Sequence, residues 1–367
     1  MKKKIIVSAI NLLEAGPLTV LQECVGYLSA NLANKYEIIV LVNRKELLTY
    51  KNIKYLEFPQ SKKSWINRLY YEYFYFSKLS RRLNPFLWLS LHDIIPNVTA
   101  QRLAVYCHNA SSFYELSLKE AVIDPRFALF NLFYKYLYMI NIKKADSVIV
   151  QQDWLRREFI KLFRLKNVIV AHPKIYDEHP LKKENGNIRH KGDFIFFYPA
   201  FPRFFKNFEV VCRASEVLLK QGIANFKIIF TIFGNENWYS KSIYNSFKHI
   251  KNIIFLGLQK REDIINLYDA AGCLIFPSKL ETWGLPITEF EKYNKPILLA
   301  DLPYAHETLG TYGKAKFFSP NNHKQLADAM KSVMDETATF ENIKSNIIAK
   351  PFSQDWKELF EILLSAS

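Results

Sequence analysis

The sequence predicts an α/β protein built from two doubly wound, Rossmann-like domains. Short apolar runs recur along the chain with helix-like stretches between them. The runs are apolar throughout rather than alternating, as in parallel strands covered on both faces. The chain is 367 residues long, more than one ordinary core takes up. A polar, aperiodic stretch, YDEHPLKKENGNIRHKGD (176–193), divides the runs into two series.

The first series is KIIVSAI (4–10), EIIVLV (37–42), NIKYLEF (52–58), FLWLSL (86–91), LAVYC (103–107), SVIVQ (147–151) and VIVA (168–171). The second is FIFFY (194–198), KIIFTIF (227–233), NIIFLG (252–257), CLIFP (273–277), PILLA (296–300) and AKFFS (315–319). Between them lie segments such as FEVVCRASEVLLKQG and REDIINLYDAAG, the latter stopping at a glycine as a helix C-cap would. Two successive β-α-β series give two doubly wound domains. The implied division is 1–175, a linker at 176–192, 193–350, and a terminal helix in 351–367, where FSQDWKELFEILLSAS spaces its apolar residues helically.

The net charge of +15 is unevenly spread. Residues 1–175 hold 26 Lys/Arg against 13 Asp/Glu, a surplus of 13, and the remainder is nearly neutral. Such a field attracts nucleic acid, anionic lipid or phosphorylated substrates. Cys24, Cys107, Cys212 and Cys273 are scattered, without metal or disulfide spacing, and read as buried thiols in a reducing compartment. The apolar run after the basic tip MKKK is too short for a cleavable signal, and no stretch reaches the length of a membrane span. A cytoplasmic location is therefore expected.

The richest stretch is FPSKLETWGLPITEFEKYNKPILLADLP. A strand ends at 278, a loop carries Glu281 and Gly284, and a helix starting near Pro286 carries Glu289 in its first turn. Free N–H groups at such a helix start, beside a glycine loop, favour an anion, and the flanking carboxylates can grip hydroxyls. Phosphates and sugar hydroxyls together describe a sugar nucleotide. The same residues are also compatible with a helix-dipole contact at Glu289 and an exposed loop charge at Glu281. Upstream, FFYPAFPRFFKNFEVVCRA sets Arg203 and Lys206 between a strand end and a helix, where two cations suit a diphosphate.

The Glu281 to Glu289 string resembles the E-x7-E signature of retaining glycosyltransferases of family 4. The resemblance runs over most of the chain and is strongest over 194–320. It implies the GT-B fold, with two Rossmann-like domains facing a central cleft. The first would bind acceptor, the second nucleotide-sugar, and the terminal helix would cross back to the first. By resemblance Glu289 holds the donor ribose and Glu281 the transferred sugar, while N–H groups of Gly284 and Leu285 face the diphosphate or sugar. Lys206-Asn207 is similar to the family's diphosphate-binding lysine motif, with Arg203 as its partner. Gly257 and Leu258 match the segment that contacts the base. Gly16, in LEAGPLTVL, matches a glycine that lets the first loop approach the donor phosphates. His108, directly after LAVYC, matches a histidine that touches the donor sugar near the reaction centre. His92 and Asp93 in SLHDIIPN are a second candidate contact.

No D-x-D occurs, so no metal is expected; the cations neutralise the leaving group instead. No cofactor is expected beyond the nucleotide-sugar substrate. Two segments, 61–86 and 126–146, mix aromatics with Lys and Arg. They are read either as core-facing helices with basic outer sides or as an interfacial surface for anionic lipid. No nucleic-acid module is present. The expectation is a retaining hexosyltransferase acting on a lipid-linked (polyprenyl diphosphate) saccharide at the inner face of the cytoplasmic membrane, in bacterial O-antigen or capsular polysaccharide assembly. The alternatives are an epimerase or phosphorylase on the same fold, or a non-catalytic membrane-associated partner of another transferase.

Overall fold

The structure, a computed structural model, describes residues 2–13, 15–173, 192–340 and 347–365. Its strands are β1 (Lys3–Ala9), β2 (Tyr36–Val42), β3 (Ile53–Glu57), β4 (Leu87–Ser90), β5 (Arg102–Cys107), β6 (Ser147–Val150), β7 (Val168–Ala171), β8 (Phe194–Tyr198), β9 (Phe226–Phe230), β10 (Ile253–Phe255), β11 (Cys273–Phe276), β12 (Ile297–Ala300), β13 (Ala315–Phe318) and β14 (Phe352–Ser353). They divide between two compact units. One comprises Met1–Phe113, Phe130–Lys174 and Ile348–Ser367; the other comprises Tyr114–Leu129 and Ile175–Ile347.

The first unit's sheet is wholly parallel among the described residues, in the order β14-β7-β6-β5-β4-β1-β2-β3. Its centre is β1 beside β4, with Ile5 opposite Leu87, and the chain winds outward from there in both directions. β1, β2, β4, β5, β6 and β7 are buried over nearly their whole length, which is why their sequences do not alternate. The terminal helix Trp356–Ser365 completes this core. Trp356, Leu359, Phe360 and Leu363 fall on one face and join Leu21, Val25 and Leu28 in the apolar cluster. The segment before it, expected to be helical, adds β14 against β7, with Phe352 opposite Val170.

The second unit repeats the winding with six parallel strands, β10-β9-β8-β11-β12-β13. Here β8 and β11 are the central neighbours, Cys273 opposite Phe196. Both sheets thus have a point where successive crossovers turn in opposite directions, which opens a crevice at the carboxyl ends of the two central strands. The second unit also takes in 114–129, which the sequence reading assigned to the first domain. The reason is packing: Phe127 lies 4.9 Å from Phe204 and 5.5 Å from Phe205, and Lys279 pairs with Glu120 at 3.3 Å. Of the expected linker, all but Gly192 lies outside the described residues. Among the described residues, no helix is long and apolar enough to cross a membrane.

Candidate active site

The loops leaving β8 and β11 build the candidate site of the second unit. After β8 the chain makes a tight helical turn, Phe204–Lys206, and then passes Asn207 in the left-handed region at φ 58°. The helix Phe208–Lys220 follows. Asparagine tolerates that backbone conformation better than most residues, and its side chain is put to use. The Asn207 amide donates to the Pro277 carbonyl (3.2 Å) and the Pro320 carbonyl (2.7 Å), tying the loops after β8, β11 and β13 together. Two further bonds fix the turn: the Lys279 N–H donates to the Phe205 carbonyl at 2.7 Å, and the Tyr198 hydroxyl to the Lys206 carbonyl at 2.8 Å.

This scaffold brings Lys206 and Glu281 together as an ion pair, with the ammonium on Oε1. Their side chains keep 18% and 13% of their exposure, so the pair is shielded yet reachable. Arg203 stands outside it, exposed, its guanidinium 5.4 Å from the Phe201 ring centroid. Gly284 sits at φ 93°, a backbone conformation that favours glycine, and a Cβ there would lie a tight 3.1 Å from the end of the Ile287 side chain. Leu285 opens the helix Leu285–Glu291 with Pro286 second. Glu289 is therefore the fifth helical residue, one position further in than a start at Pro286 gives, and lies just past the first turn. Its carboxylate meets the Arg261 guanidinium at 2.8 Å and accepts from the Tyr268 hydroxyl at 2.9 Å.

The ends of β9 and β10 carry an apolar rim. Gly257, at φ 77°, turns the chain after β10, and Leu258 next to it is 71% exposed, so it is not a packing residue. Phe233, after β9, is also exposed and touches the Gly257 position. The N–H groups of Phe233 and Gly234 donate to the Glu236 carboxylate at 2.6 and 2.9 Å. Burial works to raise that carboxyl's pKa, but these bonds outweigh it and hold the group below its usual range.

The other expected residues belong to the first unit. Gly16 lies in the first turn of the helix Ala15–Tyr27 rather than in a loop before it. His108 follows β5, half-buried, with its ring stacked on Tyr106 at 4.6 Å. Its Nε2 is 2.9 Å from the Leu91 carbonyl, which can only accept, so Nε2 carries the proton. Burial lowers the imidazole pKa against the opposing pull of Asp93, and the neutral ring keeps an acceptor lone pair on Nδ1. His92 and Asp93, the second candidate contact, are internal. His92 is buried between Ser8 Oγ (3.1 Å) and the Arg68 guanidinium (3.3 Å), and burial holds its pKa well below the usual value. The Asp93 carboxylate accepts from the N–H groups of His108 and Asn109 and from the Tyr134 and Tyr138 hydroxyls, at 2.6 to 3.1 Å. It positions the His108 loop.

Sequence reasoning missed Arg261, Tyr268, Phe233 and the Lys279–Glu120 link. Asn207, named in the sequence only beside Lys206, turns out to be the residue whose amide ties the loops together. Among the described residues no group of three or more His, Cys, Asp or Glu side chains could hold a metal ion.

Residues 178–350 match the family model of glycosyl transferases group 1. The chain is 22% identical over 261 residues to an O-antigen chain mannosyltransferase of Salmonella typhimurium, covering 68% of this chain and 65% of that protein. It is 29% identical over 142 residues to a serotype-specific mannosyltransferase of Escherichia coli, covering 36% of this chain and 16% of that protein. The chain thus spans under two thirds of either curated relative. Among solved structures it is similar to a glycosyltransferase involved in lipopolysaccharide biosynthesis (TM-score 0.64, 12% identity, 90% of both chains). It is also similar to an Anabaena protein in complex with UDP-glucose (TM-score 0.58, 16% identity, 91% of this chain and 90% of that one). The fold is the two-domain α/β class of GT-B glycosyltransferases.

Proposed function

We propose that this chain is a retaining, metal-independent glycosyltransferase of family 4. It moves a hexosyl group from a nucleotide-sugar to a lipid-linked saccharide in bacterial O-antigen or capsular polysaccharide assembly. The observation that carries the reading is the Lys206–Glu281 pair at the carboxyl ends of the two central strands of the second sheet. One side chain can meet the charge that develops on a departing nucleoside diphosphate. The other can accept hydrogen bonds from the hydroxyls of the sugar being transferred. Arg203, exposed at the same turn, adds charge for the diphosphate. Glu289, oriented by Arg261 and Tyr268, is the ribose ligand in this reading, and Phe233 with Leu258 forms the apolar rest for the base.

His108 acts as a neutral imidazole accepting a sugar hydroxyl through Nδ1. No cofactor is needed beyond the donor, and the positive charge that a metal would otherwise bring comes from Lys206 and Arg203. The two mannosyltransferase relatives make a mannosyl nucleotide the first donor to test, with UDP-glucose, seen bound to the Anabaena protein, as the second. The place of action is the cytoplasmic face of the membrane, where lipid-linked acceptors are presented and the basic first half meets anionic lipid. Purified protein incubated with each donor and a lipid-linked acceptor extract should release nucleoside diphosphate only when both are present. Release without acceptor together with an altered sugar would reject transfer in favour of epimerisation. Full turnover by both Lys206→Ala and Glu281→Ala would reject the site.

A further inference from the structure

The segment 62–82 of the first unit presents one unbroken exposed stripe. Its helix is interrupted by a π turn, Tyr71–Tyr75. In a straight α-helix, residues four apart drift round the axis; the wider turn draws them back into line. Ile66, Tyr70, Phe74, Lys78 and Arg82 consequently follow one another along the outside. Ile66 is 78% exposed, Phe74 67%, Tyr70 54%, and Trp65 beside them 50%, with Tyr70 stacked on Phe74 at 6.3 Å. Large apolar side chains so exposed and so contiguous ask for a covering surface.

The charges say which surface. Lys62 and Lys63 precede the apolar part of the stripe, and Lys78, Arg81 and Arg82 follow that part, all exposed. The one carboxylate in the segment, Glu72, is fully buried, and burial pushes its pKa up to about 8. Every charge the segment shows to solvent is positive. A second stretch of the same unit repeats the pattern: Leu132, Phe133, Tyr136, Met139 and Ile140 are exposed, followed by exposed Lys143 and Lys144. Both stretches are anchored to the same loop, since Arg68 donates to the His92 carbonyl at 2.9 Å while Tyr134 and Tyr138 donate to Asp93. Protein interfaces are depleted in lysine at their centres, whereas an anionic leaflet takes apolar and aromatic rings at headgroup depth with cations beside them.

We propose that 62–82, with 132–140, is the face on which this chain seats itself on an anionic lipid surface. Trp65, Ile66, Tyr70 and Phe74 enter the interface while Lys63, Lys78 and Arg82 meet lipid phosphates. This deepens the membrane reading above and rests on it only for the acceptor's location. The test is co-sedimentation of the purified full chain with phosphatidylcholine vesicles, with and without phosphatidylglycerol. Binding should require phosphatidylglycerol and fall with salt. Lys78→Gln with Arg82→Gln should weaken it about five-fold per cation removed. Ile66→Ser with Phe74→Ser should weaken it by on the order of ten-fold or more, with an unchanged circular dichroism spectrum.

Donor turnover on the same samples separates the two readings. Vesicle binding without turnover leaves this face standing and sinks the transferase; turnover with no vesicle binding does the reverse. Equal binding to neutral vesicles, or variants that bind like the parent, overturns the proposal. So does a face that instead binds an oligonucleotide and loses it in these variants.

Discussion

Replacing Lys206 with alanine removes the ammonium that stands on Glu281 and, in the proposed reaction, on the donor diphosphate. A charge-assisted hydrogen bond to phosphate contributes about 1.5–3 kcal/mol, or roughly ten- to hundred-fold in affinity. The lower end applies here, because the same ammonium is already paired with Glu281 before the ligand arrives. The expected result is a dissociation constant for the nucleoside diphosphate raised about ten- to thirty-fold, read by titration calorimetry. Glu281→Gln should behave differently. It removes a negative charge beside the diphosphate site, so nucleotide affinity should hold or improve slightly. Sugar transfer should nevertheless fall by about two orders of magnitude, because in the proposed reaction the carboxylate acts on the transferred sugar. Leaving Glu281 unpaired in Lys206→Ala should cost about 1–3 kcal/mol of stability, so the titration belongs well below the unfolding midpoint. The reasoning fails if Lys206→Ala binds nucleotide like the parent, or if Glu281→Gln weakens it as much as Lys206→Ala does.

Other outcomes follow from the same structure. Asn207→Ala removes two bonds to loop carbonyls, one buried and one partly buried, and forces alanine into the left-handed region, together costing about 3 kcal/mol; Asn207→Gly should recover the backbone share in urea unfolding, and equal losses would contradict this. Glu72 keeps its proton in the folded protein up to about pH 8 but releases it near 4.5 when unfolded, so across that window rising pH removes stability. Glu72→Gln abolishes the effect, and its stability advantage over the parent should grow from pH 5 to pH 8, by up to about 1.4 kcal/mol per pH unit; a constant difference would count against it. Phe127→Ala withdraws the ring packed on Phe204 and Phe205; nucleotide affinity should drop several-fold and the Lys206 amide should exchange faster, and no change in either would mean that 114–129 does not brace the turn.

The fold class was legible because covered parallel strands leave no alternation: FIFFY and CLIFP read as buried strands, and β8 and β11 are. The meeting of Lys206 with Glu281 follows from the same order, since residues just past two neighbouring strand ends share a crevice. What escaped was long-range. Glu120 and Lys279 are 159 positions apart, and neither carries a local mark of the other. That link and the Phe127 packing pull 114–129 into the second unit from the middle of the first β-α-β series. His92 failed for a similar reason. Between a strand and Asp93 it reads as a loop residue, yet Arg68 and Ser8, far off in sequence, enclose it. The start of the helix at Leu285 was misjudged by one residue, which was enough to move Glu289 out of the first turn.

A crystal structure with a nucleoside diphosphate bound tests the central claim most directly. The account predicts the phosphates within hydrogen-bond reach of Lys206 Nζ and the ribose hydroxyls on Glu289. Phosphates bound away from the loops that follow β8 and β11 would contradict it.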